Sequence, residues 1–412
     1  MTERERRRLV VEHLTSGNAE GAAEELAASR ERYPGDGALH RAIGLAFASR
    51  GTLGRALEQL EAAAGLEPDS PEIMADLAQV RLTHGQETSA VEAAERALKL
   101  SPDLAIARFT LGRALFVAEC KRQGRRPAPP DPQAHFPLVD GRAPAYLRAV
   151  EEMELALDAA PPFAGAVRIA LALAYQRAGH FHAAAQQLRN QLGEAPAGKE
   201  AEGLRQALED LECEIARESY WAPDAAELAR LEAIAGSSPE AALRLVHAWI
   251  AAGQLEGTPE AMDQVRELGY APRQAEVART SQGREHCDAF SDVHLLIAGG
   301  LECVIAGSFR VLPFSELRGV TFAEVRPWRR ARVELVTGEE LHALVPMLYR
   351  FSLRSPSELI QSGRFTQFSY GPGENRWAYA MGARSFAADA GIIPAADIEV
   401  IAFQARQGPA SA

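Results

Sequence analysis

Through the first half of the chain, apolar residues recur every three to four positions, which is the spacing of helices that bury one face. Small and helix-ending residues are superimposed on this pattern at a constant interval of 34 residues. Three residue types keep that interval: Gly17, Gly51 and Gly85, then Ala22, Ala56 and Ala90, then Pro34, Pro68 and Pro102. A glycine can end a first helix in a left-handed conformation, an alanine lets a second helix cross closely, and a proline follows that second helix. The pattern therefore predicts antiparallel helix pairs that repeat every 34 residues.

A helical hairpin of this length resembles the repeat of the tetratricopeptide (TPR) family, whose pairs stack into a solenoid. We expect such a solenoid over residues 1–198, with a polar first pair and a fifth repeat from about Gly165 to Pro196. A segment near 119–145 interrupts the fourth repeat by 25 residues and is rich in arginine and proline. It is either a loop without regular structure, tolerated at a turn, or a basic recruitment segment.

The second half of the chain changes character at about Val277. Residues 199–276 continue the helical pattern and include a TPR-like hairpin from Pro239 to Pro272. In residues 277–412, short β-branched and aromatic runs alternate with turn residues, which predicts a small β-rich domain. The runs are Leu301–Ile305, Phe309–Leu312, Val320–Val325, Ala331–Val336, Leu341–Pro346 and Trp377–Met381, with hairpin turns at Thr337-Gly-Glu-Glu and Gly371-Pro-Gly-Glu-Asn-Arg. The predicted fold class is α+β, mainly α: an N-terminal TPR helical-hairpin solenoid followed by a small β-rich α+β domain.

Composition excludes several classes of function. The 412 residues carry a net charge of −12, which argues against a general nucleic-acid binder. No apolar run is long enough to span a membrane, and the charged N-terminus lacks the apolar core of a signal peptide, so we expect a cytoplasmic protein. The four cysteines are dispersed and none forms a C-x-x-C pair, so the sequence predicts no disulfide framework, no metal site and no cofactor.

The β-rich part contains a series of short motifs in a fixed order. The series is Phe290-Ser-Asp-Val, Leu301-Glu-Cys-Val through Pro313-Phe-Ser-Glu-Leu-Arg, Arg326-Pro-Trp-Arg-Arg, Thr337-Gly-Glu-Glu through Pro346-Met-Leu-Tyr, Gly363-Arg-Phe-Thr-Gln-Phe and Gly373-Glu-Asn-Arg. In this order the motifs resemble those of ImpE-like (TagJ-like) proteins, which are accessory factors of bacterial type VI secretion and also begin with TPR-like helices. The resemblance implies a non-enzymatic adaptor that binds a helical segment of the contractile-sheath subunit and links it to the AAA+ unfoldase.

Candidate catalytic residues are few. His286 and Cys287 are adjacent, so their side chains diverge and do not form a nucleophile–base pair through sequence neighbourhood alone. His294 and Cys303 could approach each other in space, but a structural role explains them more simply. We therefore expect a protein that is not an enzyme, and keep an enzyme using this region as the alternative.

Candidate partner-binding residues lie first on one face of the helical repeats. In a TPR solenoid, the first helix of each pair turns one face into the concave groove. On that face we assign partner binding to Arg41, Leu45, Gln79, Leu82, Phe109, Arg113 and Phe116. A largely apolar groove with two arginines suits an amphipathic helix that carries acidic residues. The alternative is that these side chains pack on neighbouring helices or on the C-terminal domain.

A second candidate group lies in the β-rich part. Trp328 is followed by Arg329 and Arg330, and tryptophan and arginine are enriched at interaction hot spots. The alternative is a core tryptophan with arginines on a solvated strand face. For the whole chain, the two leading hypotheses are the type VI secretion adaptor and a general TPR scaffold in another bacterial cytoplasmic complex. Both have protein partners, and neither involves nucleic acid or a membrane.

Overall fold

The computed structural model divides the chain into two compact units. Unit 1 comprises residues 1–122 and 140–174, and unit 2 comprises residues 123–139 and 175–412. The described residues are 3–28, 36–124, 139–195, 197–251, 265, 267, 270–280, 283–292, 299–324, 327–350, 352–355, 360, 364, 366–370, 378–381, 383–389 and 391–404.

Helices form the N-terminal part of the fold. In chain order they are α1 (Glu3–Thr15), α2 (Ala19–Ala28), α3 (Gly37–Ser49), α4 (Leu53–Leu66), α5 (Pro71–Thr83), α6 (Glu87–Leu100), α7 (Ala105–Gly124), α8 (Pro144–Asp158), α9 (Ala164–Ala178), α10 (Phe181–Glu194), α11 (Lys199–Trp221), α12 (Ala225–Ile234) and α13 (Pro239–Ala251). Consecutive helices pack in pairs, α1 with α2, α3 with α4 and α5 with α6. The helical-hairpin repeat predicted from the 34-residue interval is confirmed.

Glycine ends the first helix of successive pairs, as the interval predicts. Gly51 has a φ of 77° and Gly85 a φ of 83°, both in the left-handed region where a side chain adds strain. The start of the next pair is also determined by nearby residues. The side chain of Ser70 accepts a hydrogen bond from the Ile73 backbone N–H, and Pro71 occupies the first turn of α5. The helix boundaries therefore follow from individual residues near each turn.

Small residues let the two helices of a pair approach closely. Ala56 and Ala90 are completely buried, as expected for the predicted crossing position. Gly112 on α7 must also be small, because α8 packs closely against it. A Cβ atom at Gly112 would lie 2.6 Å from Cγ of Met153 and 2.7 Å from the carbonyl oxygen of Ala149. The repeat therefore tolerates no larger residue at these crossings without a shift of one helix.

Two sequence predictions extend beyond the described part of the chain. Residues 125–138, most of the arginine- and proline-rich segment, lie outside it. So does most of the second half of the hairpin expected from Pro239 to Pro272, while its first half forms α13, which packs against α12. No helix within the described ranges is long and apolar enough to cross a membrane.

An antiparallel sheet forms the C-terminal part of unit 2. Its strands are β1 (Arg273–Arg279), β2 (Gly283–Asp292), β3 (Gly300–Ile305), β4 (Ser308–Pro313), β5 (Leu317–Phe322), β6 (Trp328–Leu335), β7 (Glu340–Pro346), β10 (Ser385–Ala388), β11 (Gly391–Pro394) and β12 (Ile398–Phe403), with β8 (Gln367–Tyr370) and β9 (Ala378–Met381) paired separately. The spatial order is β11-β10-β2-β1-β12-β5-β6-β7-β3-β4. The predicted class, mainly α with a β-rich C-terminal part, is confirmed.

Most strands from β3 to β9 coincide with predicted runs, whereas β1, β2, β8 and β10–β12 were not predicted. The turn at Thr337-Gly-Glu-Glu is a hairpin, with Gly338 at a φ of 89° between β6 and β7. Residues 371–377, which include Trp377 and the other predicted turn, lie outside the described residues, as does Gly363. The strands on either side of that turn, β8 and β9, pair antiparallel.

The sheet is built from two similar halves that meet at its centre. Pro313 is followed by a short 3-10 turn and then β5, and Pro394 is followed by an equivalent turn and then β12. β5 and β12 pair antiparallel with Val320 opposite Ile401. On one face of the sheet an apolar core includes stacked phenylalanines, and on part of the other face α11 and α13 cover β3, β4 and β6.

Candidate partner-binding surfaces

Equivalent positions on the first helices of unit 1 form a line of accessible side chains. Leu45 is 38% exposed, Gln79 is exposed, Arg113 is partly exposed and Leu173 is 43% exposed. They belong to α3, α5, α7 and α9, respectively, and residues at equivalent places in stacked repeats lie on the same face. We call these four residues the exposed row.

Two aromatic residues predicted to bind a partner lie beneath this surface. Phe109 and Phe116 are each 7% exposed. The ring of Phe109 stacks on that of Phe163 at a centroid distance of 5.8 Å, and Phe116 meets Tyr146 edge-on at 6.4 Å. Both rings therefore contribute mainly to packing within unit 1, the alternative that the sequence left open.

Arg113 stands over this aromatic layer. Its guanidinium carbon lies 5.4 Å from the centroid of the Phe109 ring, a cation–π geometry. Burial lowers the pKa of Arg113 from its usual value. In the described part of the chain no carboxylate forms an ion pair with it, so its hydrogen-bond donors are available to an acidic group.

The other predicted groove residues differ in availability. Arg41 already pairs with Asp76 of α5, with 2.5 Å between Nε and Oδ2. Burial raises the pKa of Asp76, although its hydrogen bond with Arg41 acts in the opposite direction. Leu82 is buried against Ala90 and Ala114. Of the seven groove residues, Leu45, Gln79 and Arg113 therefore have accessible side chains that form no hydrogen bond or ion pair with another described residue.

The second predicted group separates into buried and exposed members. Trp328 is 1% exposed and donates its indole N–H to Oε1 of Glu214 at 3.1 Å. Arg329 is 3% exposed and donates to backbone carbonyls, including that of Ile398 at 2.7 Å. Neither side chain can contact a partner directly in this state, because the fold already uses its polar atoms. Arg330 is exposed.

A buried ion cluster, which the sequence did not predict, fixes α11 on the sheet. Glu302 of β3 accepts hydrogen bonds from Arg217 Nη2 and Trp221 Nε1 of α11, each at 2.9 Å, and pairs with Arg384 near β10. All four side chains are at most 2% exposed. Burial opposes charge on Glu302, yet Arg217 and Arg384 hold its pKa well below the usual range.

Glu214, one turn before Arg217 on the same helix, has the opposite electrostatic balance. Its Oε1 lies 3.5 Å from Arg217 Nη1, and the carboxylate also accepts the Trp328 hydrogen bond. Burial raises the pKa of Glu214 to about 7, because these favourable contacts do not offset the loss of water. The cluster thus contains Glu302, which is kept charged, and Glu214, which titrates near neutrality; a third buried carboxylate, Asp292, lies with Oδ2 3.3 Å from Arg384 Nε.

The cysteines considered for catalysis are poor nucleophiles in this fold. Cys287 and Cys303 are completely buried, and burial raises their pKa to about 11 and about 12, respectively. A thiol rather than a reactive thiolate is therefore present at neutral pH. His294 lies outside the described residues. Within the ranges described above, no group of three His, Cys, Asp or Glu side chains is arranged to hold a metal ion.

The C-terminal part of unit 2 matches a known protein family. Residues 283–402 match the family model described as ImpE protein, which confirms the resemblance seen in the motifs. The match begins at β2 and ends within β12. No curated protein matches the chain.

Several solved structures are similar at low identity. Protein VPA1032 from Vibrio parahaemolyticus is 16% identical, with 64% of this chain and 95% of that chain covered and a TM-score of 0.45. A tetratricopeptide repeat protein from Parabacteroides merdae is 15% identical, with coverages of 65% and 93% and a TM-score of 0.40. The thermophilic TPR protein TTC0263 from Thermus thermophilus is 17% identical, with coverages of 51% and 98% and a TM-score of 0.36.

Proposed function

We propose that this chain, which joins TPR-like helical repeats to an ImpE domain, is a non-enzymatic adaptor that binds a helical segment of another protein along the exposed row. The observation that carries the proposal is the accessible line of Leu45, Gln79, Arg113 and Leu173, with Arg113 lacking a carboxylate partner in the described part of the chain. TPR-like repeats and ImpE domains support a role in protein interaction in general.

The chemistry of the exposed row favours an amphipathic helix with an acidic residue. Leu45 and Leu173 supply apolar contacts for one face of such a helix. Ile169, which is 47% exposed and lies one turn before Leu173 on α9, adds a third apolar contact. Arg113 supplies the charge. Because its guanidinium is partly buried over an aromatic ring, a carboxylate that reaches it forms a charge-assisted hydrogen bond in a less screened environment than the open surface. The exposed row thus has apolar side chains at both ends and a cation between them, which suits a helix with apolar residues at its two ends and an acidic residue between them.

The ImpE domain suggests where such an adaptor works. By resemblance to ImpE-like proteins, the bound helix would belong to a sheath subunit of a type VI secretion system, and the adaptor would link it to the AAA+ unfoldase in the cytoplasm. The alternative is a general TPR scaffold in another bacterial complex, which would use the same groove for a different helix. Sheath and unfoldase genes beside the gene for this chain would favour the first proposal.

A direct binding experiment tests the groove. Labelled synthetic peptides are made for the helices of the sheath subunits whose genes lie beside the gene for this chain. They are titrated with the full chain, and binding is followed by fluorescence anisotropy. Leu173→Glu should weaken binding by roughly tenfold or more, because it places a charge in the apolar contact. Leu155→Glu is the matched control, since Leu155 is 41% exposed on α8 but lies outside the exposed row. Equal effects of the two substitutions would contradict the groove.

A further inference from the structure

A second concave site lies on the sheet of unit 2. It is a cavity of about 460 Å³, of the size that holds a small ligand or one or two side chains. Its apolar lining includes Val304 and Leu344, and its basic lining includes Arg330, Arg332 and His342. We call this cavity the sheet pocket.

Strand register explains why these residues converge. Arg330 lies opposite Leu344 on β7, Arg332 lies opposite His342, and Val304 of β3 lies on the other side of Leu344. Paired residues in an antiparallel sheet project to the same face, so the basic and apolar side chains line one surface. Helix α11 covers the Trp328 end of β6, and its Glu209 marks the border of the pocket.

The two arginines of the sheet pocket are only weakly engaged. The Arg330 side chain is 68% exposed, and its nearest carboxylate, Glu209, is 3.8 Å away. Arg332 is 50% exposed and lies 3.9 Å from Glu340. Both distances are longer than a hydrogen bond, and neither guanidinium donates to another described residue. The pocket therefore has two neighbouring guanidinium groups, each with free hydrogen-bond donors, beside apolar side chains.

We infer that the sheet pocket binds an acidic peptide segment of a partner protein, with one apolar side chain seated against Val304 and Leu344 and flanking carboxylates on Arg330 and Arg332. Charge complementarity carries the assignment, because arginine forks match carboxylates. This site is separate from the groove and does not depend on the helical partner proposed there.

The test uses three labelled pentapeptides with the intact protein. The probe is Glu-Glu-Leu-Glu-Glu, the charge control is Lys-Lys-Leu-Lys-Lys, and the anchor control is Glu-Glu-Ser-Glu-Glu. We expect the first to bind at least about tenfold more tightly than either control, because both the carboxylates and the leucine are used. Failure of the probe to bind, or equal binding of probe and anchor control, would overturn the proposal.

Variants locate the binding. Arg330→Glu and Arg332→Glu should each weaken the acidic probe by roughly tenfold, whereas Arg318→Glu, an exposed arginine of β5 outside the pocket, should change it less than about twofold. Thr321→Trp, which fills the pocket without changing charge, should also abolish binding. Thermal melting of each variant separates loss of the site from loss of the fold.

Retained affinity in Arg330→Glu and Arg332→Glu would show that the peptide binds elsewhere and would overturn the assignment. So would tighter binding of a single-stranded oligonucleotide, or of vesicles of anionic lipid, than of the acidic probe.

Discussion

Replacing Glu302 with glutamine should destabilise unit 2 strongly, because it removes the only full negative charge that contacts both Arg217 and Arg384 in the described part of the cluster. Those two side chains are each 1% exposed and cannot regain water without opening the interface between α11 and the sheet. Breaking a buried ion pair by removing one partner costs about 3–5 kcal/mol of unfolding free energy. We expect Glu302→Gln to cost an amount in that range, since the amide of glutamine can still accept a hydrogen bond but carries no charge to balance Arg217. Arg384 then keeps only the contact of its Nε with Asp292 Oδ2 at 3.3 Å among the described carboxylates.

The same substitution at Glu214 should have the opposite sign. Its folded pKa of about 7 lies above the ordinary 4.5, so the folded state binds a proton that the unfolded state has released. Stability from this group is therefore greatest below its ordinary pKa and is lost as pH rises towards 7. Removing the charge with Glu214→Gln should raise the unfolding free energy by up to about 3 kcal/mol near pH 8, and by little near pH 4.5.

Glu302 has the reverse pH dependence. Its folded pKa is depressed, so its contribution is present above the unfolded value and is lost only as pH falls through the folded one. Glu302→Gln should therefore cost about as much near pH 8 as near pH 6.

Tryptophan fluorescence measures this unit selectively. The four tryptophans of the chain, Trp221, Trp249, Trp328 and Trp377, all belong to unit 2, so urea unfolding followed by their emission reports that unit and not the helical repeats of unit 1. Glu302→Gln and Glu214→Gln serve as controls for each other, since both exchange a carboxylate for an amide of equal size. An unchanged midpoint for Glu302→Gln, or destabilisation of equal size by both variants near pH 8, would refute the proposed charge balance.

Three further outcomes follow from the packing. Gly112→Ala should lower the unfolding free energy of unit 1 by about 1–3 kcal/mol, because the new Cβ overlaps Met153; a circular-dichroism melt unchanged from wild type would contradict the close crossing. Phe116→Ala should cost about 3–5 kcal/mol of stability in the same melt, whereas lost affinity with an unchanged melt would identify Phe116 as a groove residue. Cys287 and Cys303 should react with a thiol reagent far more slowly in native protein than in urea, and fast labelling of the native state would contradict their burial.

The helical repeats could be predicted because their determinants are local. Gly51 and Gly85 each act within one turn of the helix they end, and Ala56 and Ala90 are small for a reason that recurs at every crossing. The periodic sequence therefore predicts where the helices end and where they cross. Among the strands, β1 was missed because its sequence, beginning at Arg273, has no aromatic residue and only one β-branched residue, Val277, so the usual signal of a strand is weak.

The sites were less accessible to sequence reasoning. Glu302 lies 85 positions from Arg217 and 82 from Arg384, so nothing local indicates that they meet in the interior. The same limit explains Trp328 and Arg329, whose composition fits a hot spot although the fold buries them. Arg113 was predicted from its place in the repeat, but its lack of a carboxylate partner among the described residues emerged only from the three-dimensional arrangement.

A charge exchange at Arg113 tests the adaptor proposal most directly. A helical peptide from a sheath subunit, with one acidic residue on its apolar face, is titrated with wild type and with Arg113→Glu, and then a second peptide with lysine in place of that acid is titrated with both. We expect Arg113→Glu to bind the acidic peptide roughly tenfold or more weakly than wild type does, and to recover much of that affinity with the lysine peptide. Equal affinity of the acidic peptide for both proteins, or a loss that the lysine peptide does not recover, would contradict binding of an acidic helix along the exposed row.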